Sequence, residues 1–276
     1  MLDDLLARID AVLVESTPPS PRVSGDTRCG MSRRPRILDL FSCSGGAGEG
    51  YRRAGFEVVG IDIRKPTAYP AGKFYVADAL AMQQDYVHGC WHENSSRTSL
   101  AGMLRDCLGR FDAIHASPPC QYEIAITKGT NADKVSRYQS LIGPVRTMLD
   151  KTGLPYVIEC GQGTHMRRDV QLCGEMFGLR VIRHRDFELG GWSMEQPPHI
   201  KHRGRVKGWR HGVNYEGYYY AVYGRGGGKG TVAEWQQAMG IDWTDNRKSI
   251  AEAIPPAYTS FVGHQLAAHL NPRAAA

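Results

Sequence analysis

Ser117-Pro118-Pro119-Cys120-Gln121 puts a thiol on a stiff mount. Two prolines ahead of Cys120 fix φ and remove backbone donors, so the loop has few ways to relax. A nucleophile that must meet one atom from one direction needs such a mount. Two other groups carry matching chemistry. Ser42-Cys43-Ser44-Gly45-Gly46-Ala47-Gly48-Glu49-Gly50 is small and glycine-rich, and Asp62 follows it at the end of an apolar run. A glycine turn lets a ligand approach the backbone, and a carboxylate so placed accepts hydrogen bonds from ribose hydroxyls. Glu159, near the end of Leu154–Gly161, is the third group. Together they describe a nucleoside-cofactor site beside a nucleophile.

The elements that must position these groups can be read from the same stretches. Arg36–Phe41 is an apolar strand, Tyr51–Phe56 ends a helix, and Glu57–Ile63 is a second strand, which makes a β-α-β unit. Phe111–Ala116 is a short buried strand that delivers Cys120. Leu154–Gly161 is another, ending near Glu159. A parallel sheet brings Asp62, Cys120 and Glu159 to one edge, where ligands bind in such folds. Phe74–Ala79 reads as a third strand, with Asp78 near its end. Helices are expected over Lys134–Leu149 (Tyr138, Leu141, Val145 and Leu149 on one apolar face), over Thr231–Met239, from about Tyr258 onward, and around residues 100–108 of an insertion from Met82 to Arg110. The expected fold class is a doubly wound α/β domain. There are no internal repeats.

Charge narrows the partner. The 276 residues carry a net charge of +6 with 42% hydrophobic residues, enough for a core and suited to a polyanion. The positive charge is concentrated in Lys201, Arg203, Arg205, Lys207, Arg210, Arg225 and Lys229, interleaved with Trp209, Tyr215, Tyr218, Tyr219, Tyr220 and Tyr223. Basic side chains cover phosphates and aromatics stack on bases. Gly217–Tyr223 has strand character, so a basic hairpin is expected there. Seven cysteines, an odd number, with no signal peptide and no long apolar run indicate reduced thiols in the cytoplasm and no membrane partner. His88-x-Cys90-x-His92 lacks a second ligand pair and reads as a polar loop, so no metal is expected. Residues 1–34 read as a flexible extension. It opens on an amphipathic stretch and continues through a Pro/Ser linker. The expected organisation continues with a catalytic cofactor-binding domain at 35–190, a reduced recognition region at 191–230, and a return to the catalytic domain at 231–276.

At this point the chain resembles the DNA cytosine methyltransferases that act at the ring 5-position, of the small bacteriophage kind. Asp39-Leu40-Phe41 through Gly46 matches the family's cofactor motif, and Pro118 to Gln121 its nucleophile motif. Glu159 matches the first residue of its Glu-Asn-Val motif, with Cys160 and Gly161 in place of the other two. Arg183-His184-Arg185 matches its Arg-x-Arg motif, and Ala253–Tyr258 its final motif. The matches run in order from about Arg36 to Leu270. Cys43 stands where many members have glycine, and Glu252 where many have asparagine.

The resemblance implies an S-adenosylmethionine-dependent enzyme, expected to be monomeric, acting on duplex DNA in a bacterial host's cytoplasm. Cys120 would add to cytosine carbon 6 as a thiolate. Glu159 would hold ring N3 and the exocyclic amine, with Arg185 and Arg183 at the ring oxygen or the nucleotide phosphate. The base would be flipped out of the helix. The cofactor would meet Asp39, Phe41, Ser42, Ser44, Gly45, Gly46, Asp62, Ile63, Asp78, Ala79, Pro118, Glu252 and Ala253. The DNA would meet Gln121 and the basic residues from Lys201 to Lys229. Alternatives are the same chemistry on RNA, transfer of a modified group from an altered sulfonium donor, and an inactive DNA-binding homologue.

Overall fold

A computed structural model describes residues 33–80, 111–120, 140–210, 212–223 and 230–271. Its centre is a seven-stranded sheet. In chain order the strands are β1 (Arg36–Leu40), β2 (Glu57–Asp62), β3 (Gly72–Val76), β4 (Ala113–Ala116), β5 (Tyr156–Gly161), β6 (Val170–Leu172) and β7 (Arg185–Gly190). In space they run β3-β2-β1-β4-β5-β7-β6. The first five are parallel, and β7 runs antiparallel to both β5 and β6. The winding reverses between β1 and β4, where Leu40 pairs with Ala116. A crevice opens beyond the carboxyl ends of strands at such a switch point.

The central strands are apolar on both faces because both faces are covered. Leu38, Val59, Ile114 and Ile158 face one core, with Val145 and Leu149 of α2 (Ile142–Asp150). Ile37, Val58, Ala113 and Val157 face the other. The second core includes Ala47 and Tyr51 of α1 (Gly46–Arg53) and Tyr258, Val262 and Leu266 of α5 (Pro256–Leu270). These two helices pack very closely. A Cβ at Gly50 would lie 2.0 Å from Thr259 Oγ1, so only glycine fits. A third cluster joins Val181, Tyr220 and Val222 to Trp235 and Met239 of α3 (Val232–Met239) and Ile250 of α4 (Arg247–Glu252). Thr231 caps α3 reciprocally with Glu234.

Three expectations need correcting. Of the helix expected over Lys134–Leu149, residues 134–139 lie outside the described residues, 140–141 are not helical, and the described helix is Ile142–Asp150. Continuing it through 140–149 would require Pro144 to donate to the Ser140 carbonyl, and proline has no N–H and clashes there. The strand expected over Gly217–Tyr223 is reduced to one bridge between Val206 and Tyr219. Tyr219, Tyr220, Ala221 and Val222 are all buried, a run that does not suit a strand with one solvated face. The basic hairpin lies just before it, as β8 (Gly208–Arg210) and β9 (Val213–Tyr215). The third strand ends at Val76, short of Asp78. The insertion 82–110 and the residues before Arg33 lie outside the described residues. No described helix is long and apolar enough to cross a membrane.

Candidate active site

The loops after β1 and β4 form the two lips of the crevice. Ser117 N–H donates to the Leu40 carbonyl at 3.1 Å, which stitches them together. Beneath them runs a polar chain. Tyr51 Oη lies 3.1 Å from His115 Nδ1, and His115 Nε2 lies 2.8 Å from Ser117 Oγ. His115 is fully buried, and burial pulls its pKa down to about 3, so the ring is neutral. It props the start of the Pro118–Cys120 loop from below.

Cys120 sits at the crevice beside β5. Its sulfur accepts from Gly161 N–H at 3.5 Å. Its thiol pKa is lowered, first by a hydrogen bond from the Cys160 thiol and further by Gly161 and Arg185, against the opposing effects of burial and Glu159. The other two cysteines nearby move the opposite way. The hydrogen bond to Cys120, then burial, pushes Cys160 up. Burial, then Glu252, pushes Cys43 up. Of these three thiols, Cys120 is the one pushed toward ionisation.

Glu159 is 7% exposed and faces the same space. Arg185 Nε stands 2.7 Å from its Oε1, an ion pair at contact distance. That oxygen nevertheless accepts no hydrogen bond of acceptable geometry. That oxygen is itself buried against Arg185, which compensates the carboxylate's charge, and the little of Glu159 that is exposed borders the crevice. Arg183 behaves differently. Its guanidinium donates to Val222 O at 2.9 Å and Ala251 O at 2.6 Å. Burial works against its charge, but an arginine stays protonated, and the two carbonyls share its donors. It borders the crevice as an anchor for the segments around Val222 and Ala251, with Arg185 beside Glu159.

The glycine turn is held from both sides. Asp62 Oδ2 accepts from Cys43 N–H at 2.9 Å, and Oδ1 from Arg64 N–H at 3.0 Å. Trp243 Nε1 donates to Ser44 O at 2.7 Å, and Ser44 Oγ to Ser249 O at 3.2 Å. Phe41 and Cys43 adopt φ of 57° and 47°, a left-handed backbone that costs a side-chain-bearing residue energy. Gly45, at φ 84°, adopts it freely. Ile63 is 60% exposed next to Asp62, an apolar surface facing open space.

The crevice is lined by Phe41, Ser42, Ser44, Gly46, Asp62, Ile63, Asp78, Ala79, Pro118, Glu252 and Ala253, so these expected cofactor residues come together. Two do not line it. Asp39 is fully buried under the turn, where Tyr69 Oη donates to its Oδ2 at 3.3 Å. Burial drives its pKa up to about 8. Gly45 is covered by Tyr69 and Pro70. The basic residues lie on the segment after β7. Arg203 is exposed but tied to buried Glu175, Nε to Oε1 at 2.5 Å, so its charge is engaged within the protein. Lys201 and Arg205 are exposed, and Arg205 lies over the Tyr215 ring. Gln121, Arg225, Lys229 and the Arg210 side chain lie outside the described residues. Sequence reasoning missed His115 and Cys160 as partners of the nucleophile. A histidine inside an otherwise apolar strand was the available signal for the first.

No family model matches the chain, and no curated protein matches it. Solved structures do. A protein assigned as a DNA modification methyltransferase, encoded within an E. coli prophage, superposes with a TM-score of 0.51 at 14% identity, covering 86% of this chain and 99% of that one. Entamoeba histolytica methyltransferase EhMeth gives 0.49 at 12% identity, over 88% and 99%. A variant of Spodoptera frugiperda DNMT2 gives 0.36 at 15% identity, over 60% and 54%. The first likeness shows the fold: the seven-stranded sheet is arranged as in that methyltransferase.

Proposed function

We propose that the chain transfers a methyl group from S-adenosylmethionine to carbon 5 of cytosine in DNA, through a covalent adduct of Cys120 with a flipped-out base. The observation that carries this reading is the pairing of a lowered-pKa thiol with an arginine-balanced carboxylate in one crevice, at the switch point of a methyltransferase fold. A crevice flanked by Asp62 and Asp78, with exposed Ile63 between its strands, fits an adenosine: carboxylates for hydroxyls and amine, an apolar face for the ring.

S-adenosylmethionine would supply an electrophilic methyl. The chain's own residues do the rest. Cys120 thiolate adds to carbon 6, and the ring electrons move toward N3, which Glu159 holds and Arg185 balances. Carbon 5, now enamine-like, forms the bond to the methyl carbon as the carbon–sulfur bond of the donor breaks. Loss of the carbon 5 proton to a base then expels the Cys120 thiolate from carbon 6 and restores the ring. The base must leave the duplex, because neither ring face is reachable inside it. The net charge of +6 and the exposed cations Lys201 and Arg205 suit a nucleic acid, and the DNA-modifying assignment of the prophage neighbour favours DNA over RNA.

The test is expression in a methylation-free host followed by nucleoside mass spectrometry of its DNA and RNA. The expected result is 5-methylcytosine in DNA, absent with Cys120→Ala. Modified cytosine only in RNA would move the substrate, and unmodified nucleic acid would overturn the reading. The same spectra weigh a second reading. Lys248 Nζ lies 3.8 Å from Glu252 Oε1 on the crevice wall, a cation that could offset a carboxylated donor, and its product would be a heavier cytosine.

A further inference from the structure

Four potential metal ligands converge beside Arg183 and Arg185, and one of them, His184, also borders the crevice. Cys173 joins β6 to the short 3-10 turn Gly174–Phe177, and His184 immediately precedes β7. His199 and His202 stand on the segment that leaves the sheet toward the basic residues. One ligand atom from each lies within 4.8 Å of every other. Cys173 Sγ is 3.3 Å from His202 Nε2, and His184 Nε2 is 3.0 Å from His199 Nε2. The His184 and His199 rings stack at 17°, and the His199 and His202 rings meet edge to face at 5.0 Å.

Two separate hydrogen bonds would explain two of these contacts. They would not explain why the four atoms crowd around one point. A tetrahedral zinc with bonds of about 2.0–2.3 Å holds its nitrogen and sulfur ligands about 3.3–3.6 Å apart. The two shortest separations are a few tenths of an ångström below that and none exceeds 4.8 Å, so side-chain adjustments of about an ångström admit the ion. One thiolate and three imidazoles suit zinc and do not suit magnesium or calcium. Backbone N–H groups of Glu175, Arg183 and Gly174 surround the Cys173 sulfur, which is fully buried. Amides so placed steady a metal-bound thiolate.

We propose that Cys173, His184, His199 and His202 bind one zinc ion. Four protein ligands leave no open position for water, so the site is structural. It would pin the segment carrying Lys201, Arg203 and Arg205 to the edge of the sheet. It would also hold His184 in place between the anchor Arg183 and Arg185, which balances Glu159. The spacing hid it from the sequence: the ligands span 173 to 202, and only His199 and His202 are close in the chain.

The test uses the untagged full chain, purified without chelators, with metal content read by plasma mass spectrometry. About one zinc per chain is expected. His199→Ala/His202→Ala should lose it at least ten-fold, with an unchanged far-ultraviolet dichroism spectrum. Cobalt added to the stripped protein should give a tetrahedral spectrum with a thiolate charge-transfer band, and Cys173→Ser should remove the band. If the wild type carries no zinc and cobalt gives no tetrahedral spectrum, the proposal fails. It fails equally if the double variant keeps its zinc, because the ion then sits elsewhere. None of these readouts depends on methyl transfer.

Discussion

Cys160 on β5 interacts with Cys120 on the loop after β4, pushing the Cys120 thiol pKa down and its own up. One cysteine thereby holds the proton and the other is readied to lose it. Hydrogen bonds to a charged acceptor contribute about 1.5–3 kcal/mol. Replacing Cys160 with Ala should therefore cut the Cys120 thiolate population at neutral pH roughly ten-fold. Iodoacetamide alkylation of Cys120, followed against pH by mass spectrometry, should shift to higher pH. An unshifted profile would show that Cys160 does not tune the nucleophile.

Asp62 does two jobs, bracing Cys43 N–H and facing the crevice. Asp62→Ala should weaken S-adenosylmethionine binding by about 1–3 kcal/mol, the loss of hydrogen bonds to a charged group. Titration calorimetry showing unchanged affinity would place the ribose elsewhere.

Cys43 adopts a backbone that glycine prefers. Cys43→Gly should relieve strain of about 1 kcal/mol, partly offset by the freer unfolded chain, so the melting temperature should hold or rise. Cys43→Val should lower it, because a β-branched residue tolerates this φ least. A valine variant as stable as wild type would contradict the strained turn.

His115 and Asp39 give opposing pH dependences. Folded His115 has a pKa of about 3 against an ordinary 6.5, so between those values only the unfolded chain is protonated there. Stability from this residue is therefore lost as pH falls below 6.5, by up to about 1.4 kcal/mol per pH unit. Folded Asp39 is raised from 3.8 to about 8, so between those values only the folded chain keeps its proton, and stability is lost as pH rises. The two oppose each other from 3.8 to 6.5, and Asp39 acts alone from 6.5 to 8. Urea midpoints of Asp39→Asn should decline less than wild type over pH 6.5–8. Those of His115→Gln should decline less on acidification below pH 6. Curves parallel to wild type would refute both assignments.

The basic segment should separate by role. Neutralising Lys201, Arg205 and Lys207 should weaken DNA binding across sequences and flatten its salt dependence by roughly 0.9 in log–log slope per lost contact. Arg203→Ala should instead lower thermal stability, because Glu175 is 4% exposed and loses its cation. If Arg203→Ala changes only the salt slope, its tie to Glu175 is not maintained in solution.

The parallel half of the sheet and the nucleophile loop were legible because their patterns are local. Ile37-Leu38, Ala113-Ile114 and Val157-Ile158 are unbroken apolar pairs that serve two cores, and Gly45 and Pro118–Pro119 punctuate them. The antiparallel edge was not legible. Arg185–Gly190 reads Arg-Asp-Phe-Glu-Leu-Gly, and its acids are buried by partners far along the chain, Arg146 for Glu188 and Gln171 for Asp186. The run Tyr218–Tyr223 looked like a strand because aromatic residues favour strands, yet it packs as irregular chain under Arg180 and against α3. Arg183 matched a motif as a pocket cation, but only tertiary structure shows its guanidinium spent on two carbonyls.

The glycine turn receives its far wall from residues that are synthesised long after it. Trp243 and Ser249 contact Ser44 across 199 and 205 positions, and Thr259 Oγ1 donates to Ala47 O across 212. At about 5–20 residues per second, a ribosome needs roughly 10–40 s to span such a gap. Through that interval the apolar side of α1 has no α5 to cover it, and the nascent chain offers that surface to chaperones or to neighbouring chains. A chain ending before residue 243 would hold all seven strands but neither the far wall of the glycine turn nor the helix that covers α1, so the crevice is completed only after its sheet.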